Sequence, residues 1–247
     1  MKAIALIPAR LGATRFPSKL LAPIKGKSVI RRTYESAMNT ELFDEVVVVT
    51  DSDEILEEII KHGGLAVKST REYESGTDRI AEIAVHMEAD VYVNVQGDEP
   101  FVQRAPLAQL LDLFRGADGD SVQVASLVQQ LTDKELISDP NYVKVALDLN
   151  NNALFFSRSV IPYARNKDIA IPYYEHIGVY AFRKDALMNF TNWPMTPLEA
   201  AEKIECLRFL EHGVPMRMAI TQYMGVEIDT PEDIIRAEAL MAKNGWE

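Results

Sequence analysis

The chain has 247 residues, 47% of them hydrophobic, and a formal net charge of −11, a composition that points to a globular protein with an acidic surface. That charge argues against general binding to nucleic acid or to an anionic membrane, since both need a positive face. The single cysteine, Cys206, excludes an intramolecular disulfide, and no apolar run approaches the ~18 residues of a membrane helix. The N-terminal apolar run, only five residues long and ended by Pro8-Ala9-Arg10, is not a signal peptide, so the expectation is a soluble cytoplasmic protein.

In chain order, Ala3 to Ile7 is an apolar run that predicts a buried strand. The stretch from Pro8 to Lys19 then carries three cations, Arg10, Arg15 and Lys19, on a loop. A helix is expected from Ile30 to about Met38, and Val46 to Thr50 reads as a central parallel strand because it has no polar face. Asp51-Ser52-Asp53 caps a helix to Lys61, and Gly63-Gly64 ends it. A short strand from Leu65 to Lys68 precedes Ser75-Gly76-Thr77-Asp78-Arg79, and a helix is expected from Ile80 to about Met87. Asp90 to Val95 is the next strand, closing in Gln96-Gly97-Asp98-Glu99-Pro100; Pro106 is placed at the first position of a helix ending near Arg115. Alternating strands and helices predict an α/β fold, a mostly parallel sheet with helices on both faces.

Beyond Arg115 the pattern changes. Val122 to Leu127 reads as a strand, and Val143 to Leu149 with Ala153 to Ser157 form a hairpin around Asn150-Asn151-Asn152. Ile161 to Tyr174 reads as a loop, and His176 to Arg183 as a strand. Thr196-Pro197-Leu198-Glu199 opens a helix to about His212, Arg217 to Thr221 is a strand, and Thr230-Pro231-Glu232-Asp233 starts the last helix. Residues 1–247 read as one domain, with a hairpin and loop insertion around 140–190.

Ligands of open α/β sheets bind at the carboxyl ends of the strands, where the loop bearing Arg10, Arg15 and Lys19 emerges, so these cations are candidate triphosphate ligands. Asp98, just past a buried strand on the same edge, is placed to hold Mg²⁺ on a nucleotide, or else to cap a turn. Asp229 is a second candidate metal carboxylate, although Asp-Thr-Pro-Glu-Asp is also simply a good helix start. The turn at Ser75 and Gly76 suits an anion or a close backbone approach, and Arg158 after an apolar strand could meet a carboxylate. His176 reads as structural, and Cys206 as packing among apolar neighbours. No Gly-x-Gly-x-x-Gly follows the first strand, which argues against a dinucleotide-dependent dehydrogenase.

Seven motifs in order resemble one family, the CMP-Kdo synthetases or 3-deoxy-manno-octulosonate cytidylyltransferases. They are Ile7-Pro8-Ala9-Arg10 with Thr14-Arg15-Phe16-Pro17-Ser18-Lys19; Ser75-Gly76-Thr77-Asp78-Arg79; Asn94 to Pro100; Phe156-Ser157-Arg158 with Ile161-Pro162; His176-Ile177-Gly178-Val179-Tyr180; Pro197-Leu198-Glu199; and Asp229 to Asp233. The resemblance spans nearly the whole chain and implies a Rossmann-like nucleotidyltransferase fold. It implies an enzyme that couples CTP to an eight-carbon sugar acid for lipopolysaccharide biosynthesis, releasing pyrophosphate. It also implies Mg²⁺ as cofactor and a homodimer contacting through the hairpin region. By the same resemblance Arg10 and Lys19 act on the triphosphate, with Arg15 beside them, and Ser75, Gly76 and Arg79 meet nucleotide and sugar. Asp98 and Asp229 match the magnesium carboxylates, and Gln96, Arg158, His176, Tyr180, Glu202 and Glu205 the sugar-acid pocket. Arg10, Lys19 and Asp98 are the expected catalytic residues.

The chain departs from the family pattern in places. Ala200 stands where the family has a histidine, Cys206 where it has a glutamine, and Lys19-Leu20-Leu21 where it has Lys-Pro-Leu. A less polar helix on the sugar side suggests an altered acceptor, such as the 8-amino-8-deoxy sugar, whose ammonium Glu202 or Glu205 could serve. Other readings are a cytidylyltransferase for a sialic-type acid and a non-catalytic sugar-nucleotide-binding module. The retained Arg10, Lys19, Asp98 and Asp229 argue against the latter.

Overall fold

A computed structural model describes residues 1–12, 16–71, 73, 75–222 and 225–246. In chain order its elements are β1 (Ala3–Ala9), β2 (Pro23–Ile24), β3 (Lys27–Ser28), α1 (Val29–Asn39), β4 (Glu45–Thr50), α2 (Asp53–Lys61) and β5 (Ala66–Lys68). Then come α3 (Gly76–Ala84), β6 (Val91–Val95), α4 (Arg104–Asp112), β7 (Val124–Leu131), α5 (Lys134–Ser138), β8 (Lys144–Leu147), β9 (Ala153–Ser157) and β10 (Tyr173–Phe182). The last are α6 (Lys184–Asn192), α7 (Pro197–Glu202), α8 (Leu207–Glu211), β11 (Met216–Thr221) and α9 (Pro231–Asn244). The chain divides into two compact units, Met1–Leu107 with Met224–Glu247, and Ala108–Tyr223.

The first unit is built on a parallel sheet in the order β5-β4-β1-β6. Every residue of β1 and β6 is buried, as the unbroken apolar runs require of strands covered on both faces. Leu6 of β1 pairs with Asn94 of β6, so the residues that follow the two strands emerge side by side. That register puts Arg10 and the Gln96-Gly97-Asp98 turn on one edge. Helix starts follow the capping chemistry: Ser28, Ser52 and Ser75 each accept a backbone N–H from three residues on. Ser75 starts α3 at Gly76, four residues before the expected Ile80, because Ser75 and Asp78 form the cap. Helix α4 likewise begins at Arg104, two residues before Pro106, whose missing N–H has no intrahelical partner in a first turn.

The second unit has strands in the order β11-β7-β10-β8-β9. Among the described residues, only β11 and β7 pair in parallel in it. The β8–β9 hairpin turns through Asn151 at φ 60°, with Asp148 accepting the amides of Asn150 and Asn152. Strand β7 runs on to Leu131, beyond the expected Leu127, because β10 pairs with it as far as Tyr173. Two helices, α5 and α6, had no counterpart in the sequence reading. Arg183 before α6 gives no side-chain cap, so that helix carries no start signal.

The helix expected from Thr196 to His212 is two helices. Lys203 takes a left-handed conformation at φ 55° and ends α7, and α8 begins at Leu207. Arg208 reaches back to α7, donating to Glu199 at 2.5 and 2.8 Å, with both side chains almost fully buried. Glu199 also completes the Thr196 capping box. Arg208→Ala therefore strands a buried carboxylate. An earlier urea midpoint, worth about 3–5 kcal/mol, is expected. The pair Arg208→Met with Glu199→Gln should recover most of that loss, and a single-variant loss under about 1 kcal/mol would contradict this account.

Candidate functional site

The carboxyl edge of the first unit holds a pocket of about 230 Å³. It is lined by the ends of β1 and β6, the start of α3, and the segment before α9. Its tightest wall is Pro8. A Cβ on Gly97 would lie 2.9 Å from the Pro8 carbonyl oxygen, and one on Gly76 3.0 Å from the Pro8 ring. The backbone contact at Gly97 leaves no room for a Cβ without a shift of β1, and the contact at Gly76 is tight.

Lys19 is the centre of the pocket. It sits in a single 3-10 turn, Lys19–Leu21, entered through Ser18 in the left-handed region at φ 55°. The loop is closed by the Ser18 amide donating to Leu11 O. Lys19 Nζ donates to Asp98 Oδ2 at 2.6 Å and to Asp229 Oδ1 at 2.8 Å. Burial pushes the ammonium towards its neutral form, but Asp98 and Asp229 outweigh it, so the pKa lies above its ordinary value and Lys19 stays charged.

The two acids are held by backbone. Ile228 N donates to Asp98 O at 3.0 Å, joining segments more than a hundred residues apart. The capping box of α9 uses Thr230 and Asp233, and the Asp229 amide also donates to Asp233. The helix start and the acid at Asp229 are thus separate functions: Asp233 caps, and the Asp229 side chain faces Lys19. Glu227, which the sequence reading missed, completes a group of three carboxylates whose nearest oxygens lie within 4.8 Å of one another. Its signal in the sequence is its place two residues before Asp229. Three hard oxygen donors this close suit a divalent cation such as Mg²⁺.

Arg10 is exposed at the mouth, and among the described residues no carboxylate pairs with it. Arg79 is 3% exposed and fixed by Ser69 and Asp51, each at 2.8 Å. Ser75, Gly76 and Gln96 line the same pocket, as do Tyr73 and the motif residue Phe16, neither of which was among the expected site residues. Arg15 lies outside the described residues.

The remaining candidates lie in the second unit. Glu202 accepts from Ser157 Oγ and the Arg158 amide, and Arg158 returns its Nε to Glu202 O at 2.8 Å and its Nη1 to Pro140 O. Glu202 Oε1 thus holds Ser157 and Oε2 the Arg158 amide, while the Arg158 guanidinium is held by the backbone carbonyls of Glu202 and Pro140. The His176 ring packs against Phe156 and Tyr180, with Nε2 3.2 Å from Ser126 Oγ. A β-bulge between Ile177 and Tyr180 re-aims this part of β10. Glu205 is half-buried beside Cys206. Cys206 is 1% exposed, and burial raises its thiol well above the usual range despite a hydrogen bond with Tyr180, so it is no nucleophile.

A cytidylyltransferase family model matches residues 4–222. The 3-deoxy-manno-octulosonate cytidylyltransferase of Flavobacterium johnsoniae is 52% identical over 98% of this chain and 99% of its own length. The 8-amino-3,8-dideoxy-manno-octulosonate cytidylyltransferase of Shewanella piezotolerans is 41% identical over 98% and 99%. A solved structure of CMP:2-keto-3-deoxy-manno-octonic acid synthetase complexed with CTP superposes with a TM-score of 0.93 at 38% identity, covering 99% of this chain and 100% of that one. The fold, a mostly parallel sheet flanked by helices, is that of a nucleotidyltransferase. The chain belongs to the cytidylyltransferase family.

Desolvation of the packed His176 ring pulls its pKa from 6.5 to about 3. Below 6.5 the unfolded chain takes up a proton that the native ring refuses. Stability from this residue is therefore full above pH 6.5 and is lost as pH falls towards about 3. Urea unfolding across that window should show the decline, and His176→Gln should flatten it; an equal slope in both proteins would contradict the burial.

Proposed function

We propose that this enzyme activates 3-deoxy-manno-octulosonate with CTP, giving the CMP-sugar and pyrophosphate. The observation that carries the reading is the meeting of Lys19 with Asp98 and Asp229 in one pocket of a chain that belongs to the cytidylyltransferase family. The plain sugar acid is favoured over the 8-amino acceptor because the relative named for the former is 52% identical and the one named for the latter 41%. The two substitutions that suggested an altered acceptor do not open a new polar site: Cys206 is packed in the core and Ala200 is exposed.

In this reading the sugar hydroxyl attacks the α-phosphorus in line and pyrophosphate leaves. Arg10 and Lys19 neutralise the charge gathering on the leaving group. Ser75 and Gly76 present the first turn of α3 to the nucleotide, and Arg79, pinned by Asp51, keeps a fixed cation there. Asp98 and Asp229, with Glu227 beside them, are the residues that would hold Mg²⁺, which when bound offsets phosphate charge. Arg158, fixed by Glu202, is a guanidinium suited to the sugar carboxylate. His176, neutral at working pH, contributes shape and hydrogen bonding, not charge.

Pyrophosphate release is the direct assay. Release is expected with CTP, Mg²⁺ and the plain sugar acid, at a higher kcat/KM than with the 8-amino sugar; silence with both refutes the assignment. Lys19→Ala, if folded, should lower the rate by ~10²-fold or more, because the cation acts on charge that develops in the transition state. An unchanged rate would remove Lys19 from the chemistry.

The working form in this reading is a cytoplasmic homodimer. Support for the second copy comes from Leu149, Leu154, Tyr163 and Ile169, exposed apolar residues of the hairpin and the loop after it. The single buried cysteine is consistent with a reducing compartment. Light scattering should give twice the 27.7 kDa chain mass, and Leu154→Glu should shift it towards the monomer. A wild-type monomer at micromolar concentration would exclude the dimer.

A further inference from the structure

A second cavity in the first unit, about 480 Å³, lies between α1 and residues 100–105, with Trp246 at its side. It falls within the usual range for small-molecule sites, ~300–1,000 Å³. None of its lining residues lines the pocket around Lys19.

Its walls are of two kinds. One is aromatic. Phe101, 7% exposed, packs against Trp246 with ring centroids 5.5 Å apart at 39°. Trp246 is held there by its amide, which donates to Met241 O at 2.9 Å after Gly245 turns the chain at φ 68°. The other wall is cationic. Lys27, Arg32 and Arg104 line it with one carboxylate, Glu35, while Glu238 acts on Arg32 from outside the lining, in a chain that as a whole carries −11. Glu35 is already shared, at 2.7 Å by Lys27 and at 2.6 Å by Arg31. Arg32 is 7% exposed and donates Nε to Ile24 O; burial pushes its guanidinium below the ordinary value, partly offset by Glu35 and Glu238.

We propose that this cavity is a second ligand site, for a small amphipathic anion: a flat apolar group bearing a carboxylate, sulfonate or phosphate. The ring lies against Phe101 and Trp246, and the anionic end meets Arg32, Lys27 and Arg104. The site adjoins the metal-binding acids through one turn. Gly97 and Asp98 line the nucleotide pocket, while Pro100 and Phe101 line the cavity. Thr33 of α1 donates to Gly97 O at 2.8 Å. Gly225 fits against Phe101 so closely that a Cβ there would sit 3.1 Å from the Phe101 Cβ. An occupant therefore bears on both segments that position Asp98 and Asp229, and it should change the KM for CTP. That consequence alone rests on the proposed function.

The test is fluorescence titration of the full chain with anilinonaphthalene sulfonate, an aromatic sulfonate that accepts energy from tryptophan. Saturable sensitised emission is expected, persisting at saturating CTP and largely lost in Trp246→Phe, which leaves Trp193 as the remaining tryptophan. Ser36→Phe, which fills the cavity from α1, should weaken the probe at least tenfold. Arg104→Glu, at an exposed position, should weaken it several-fold whether or not the Ser36 variant folds. Full displacement by CTP, undiminished sensitised emission in Trp246→Phe, or wild-type affinity in a folded Ser36→Phe or in Arg104→Glu would each overturn the site. Binding is read without turnover, so an enzyme that releases no pyrophosphate would still give a clear answer.

Discussion

One ammonium between two carboxylates governs the carboxyl edge of the first unit. Lys19 bridges Asp98 and Asp229, and each comes from a different part of the chain. Two partly buried carboxylates repel unless a cation or a shared proton lies between them, and here the cation is Lys19. The bridge thus fixes three loops at once: the turn after β1, the turn after β6 and the lead into α9. Backbone supports the same arrangement, through the Ile228 amide on the Asp98 carbonyl and the Asp229 amide on Asp233.

Around that bridge the chemistry asks little of reactive side chains. Phosphoryl transfer to a hydroxyl proceeds by positioning and charge neutralisation. The residues fit that demand: cations at the mouth, glycines where the backbone must come close, and a pinned arginine at the start of α3. The groups that could do other chemistry are held inactive by burial. The Cys206 thiol is kept protonated and the His176 ring neutral.

The second unit uses its acids to hold arginines. Glu202 holds Arg158, and Glu199 holds Arg208. Both acids lie on α7, before the break at Lys203: Glu202 ties the end of α7 to the end of β9, and Glu199 ties α7 to α8. A continuous helix could not turn one face to β9 and fold the next segment back on itself. The left-handed Lys203 is the local result.

Much of this was legible in the sequence, for physical reasons. Fully buried parallel strands need unbroken apolar runs, so β1, β4 and β6 announce themselves, and Ser52 and Thr230 mark helix starts by the chemistry of their side chains. The motif residues Arg10, Lys19, Asp98 and Asp229 were legible as charges on loops at strand ends. The sequence did not contain the distances between them. The partners of Lys19 lie 79 and 210 residues away, and no local pattern encodes a contact of that range. Glu227 joined the acids only when the segment before α9 came to lie beside the Asp98 turn. Helix α6 stayed hidden because it lacks a cap, and the break at Lys203 because nothing local demands it. Side-chain type and short-range periodicity determined the elements and the class of chemistry. Which charges meet, which helix breaks and where a cavity opens depend on long-range packing, so only the tertiary structure decided them.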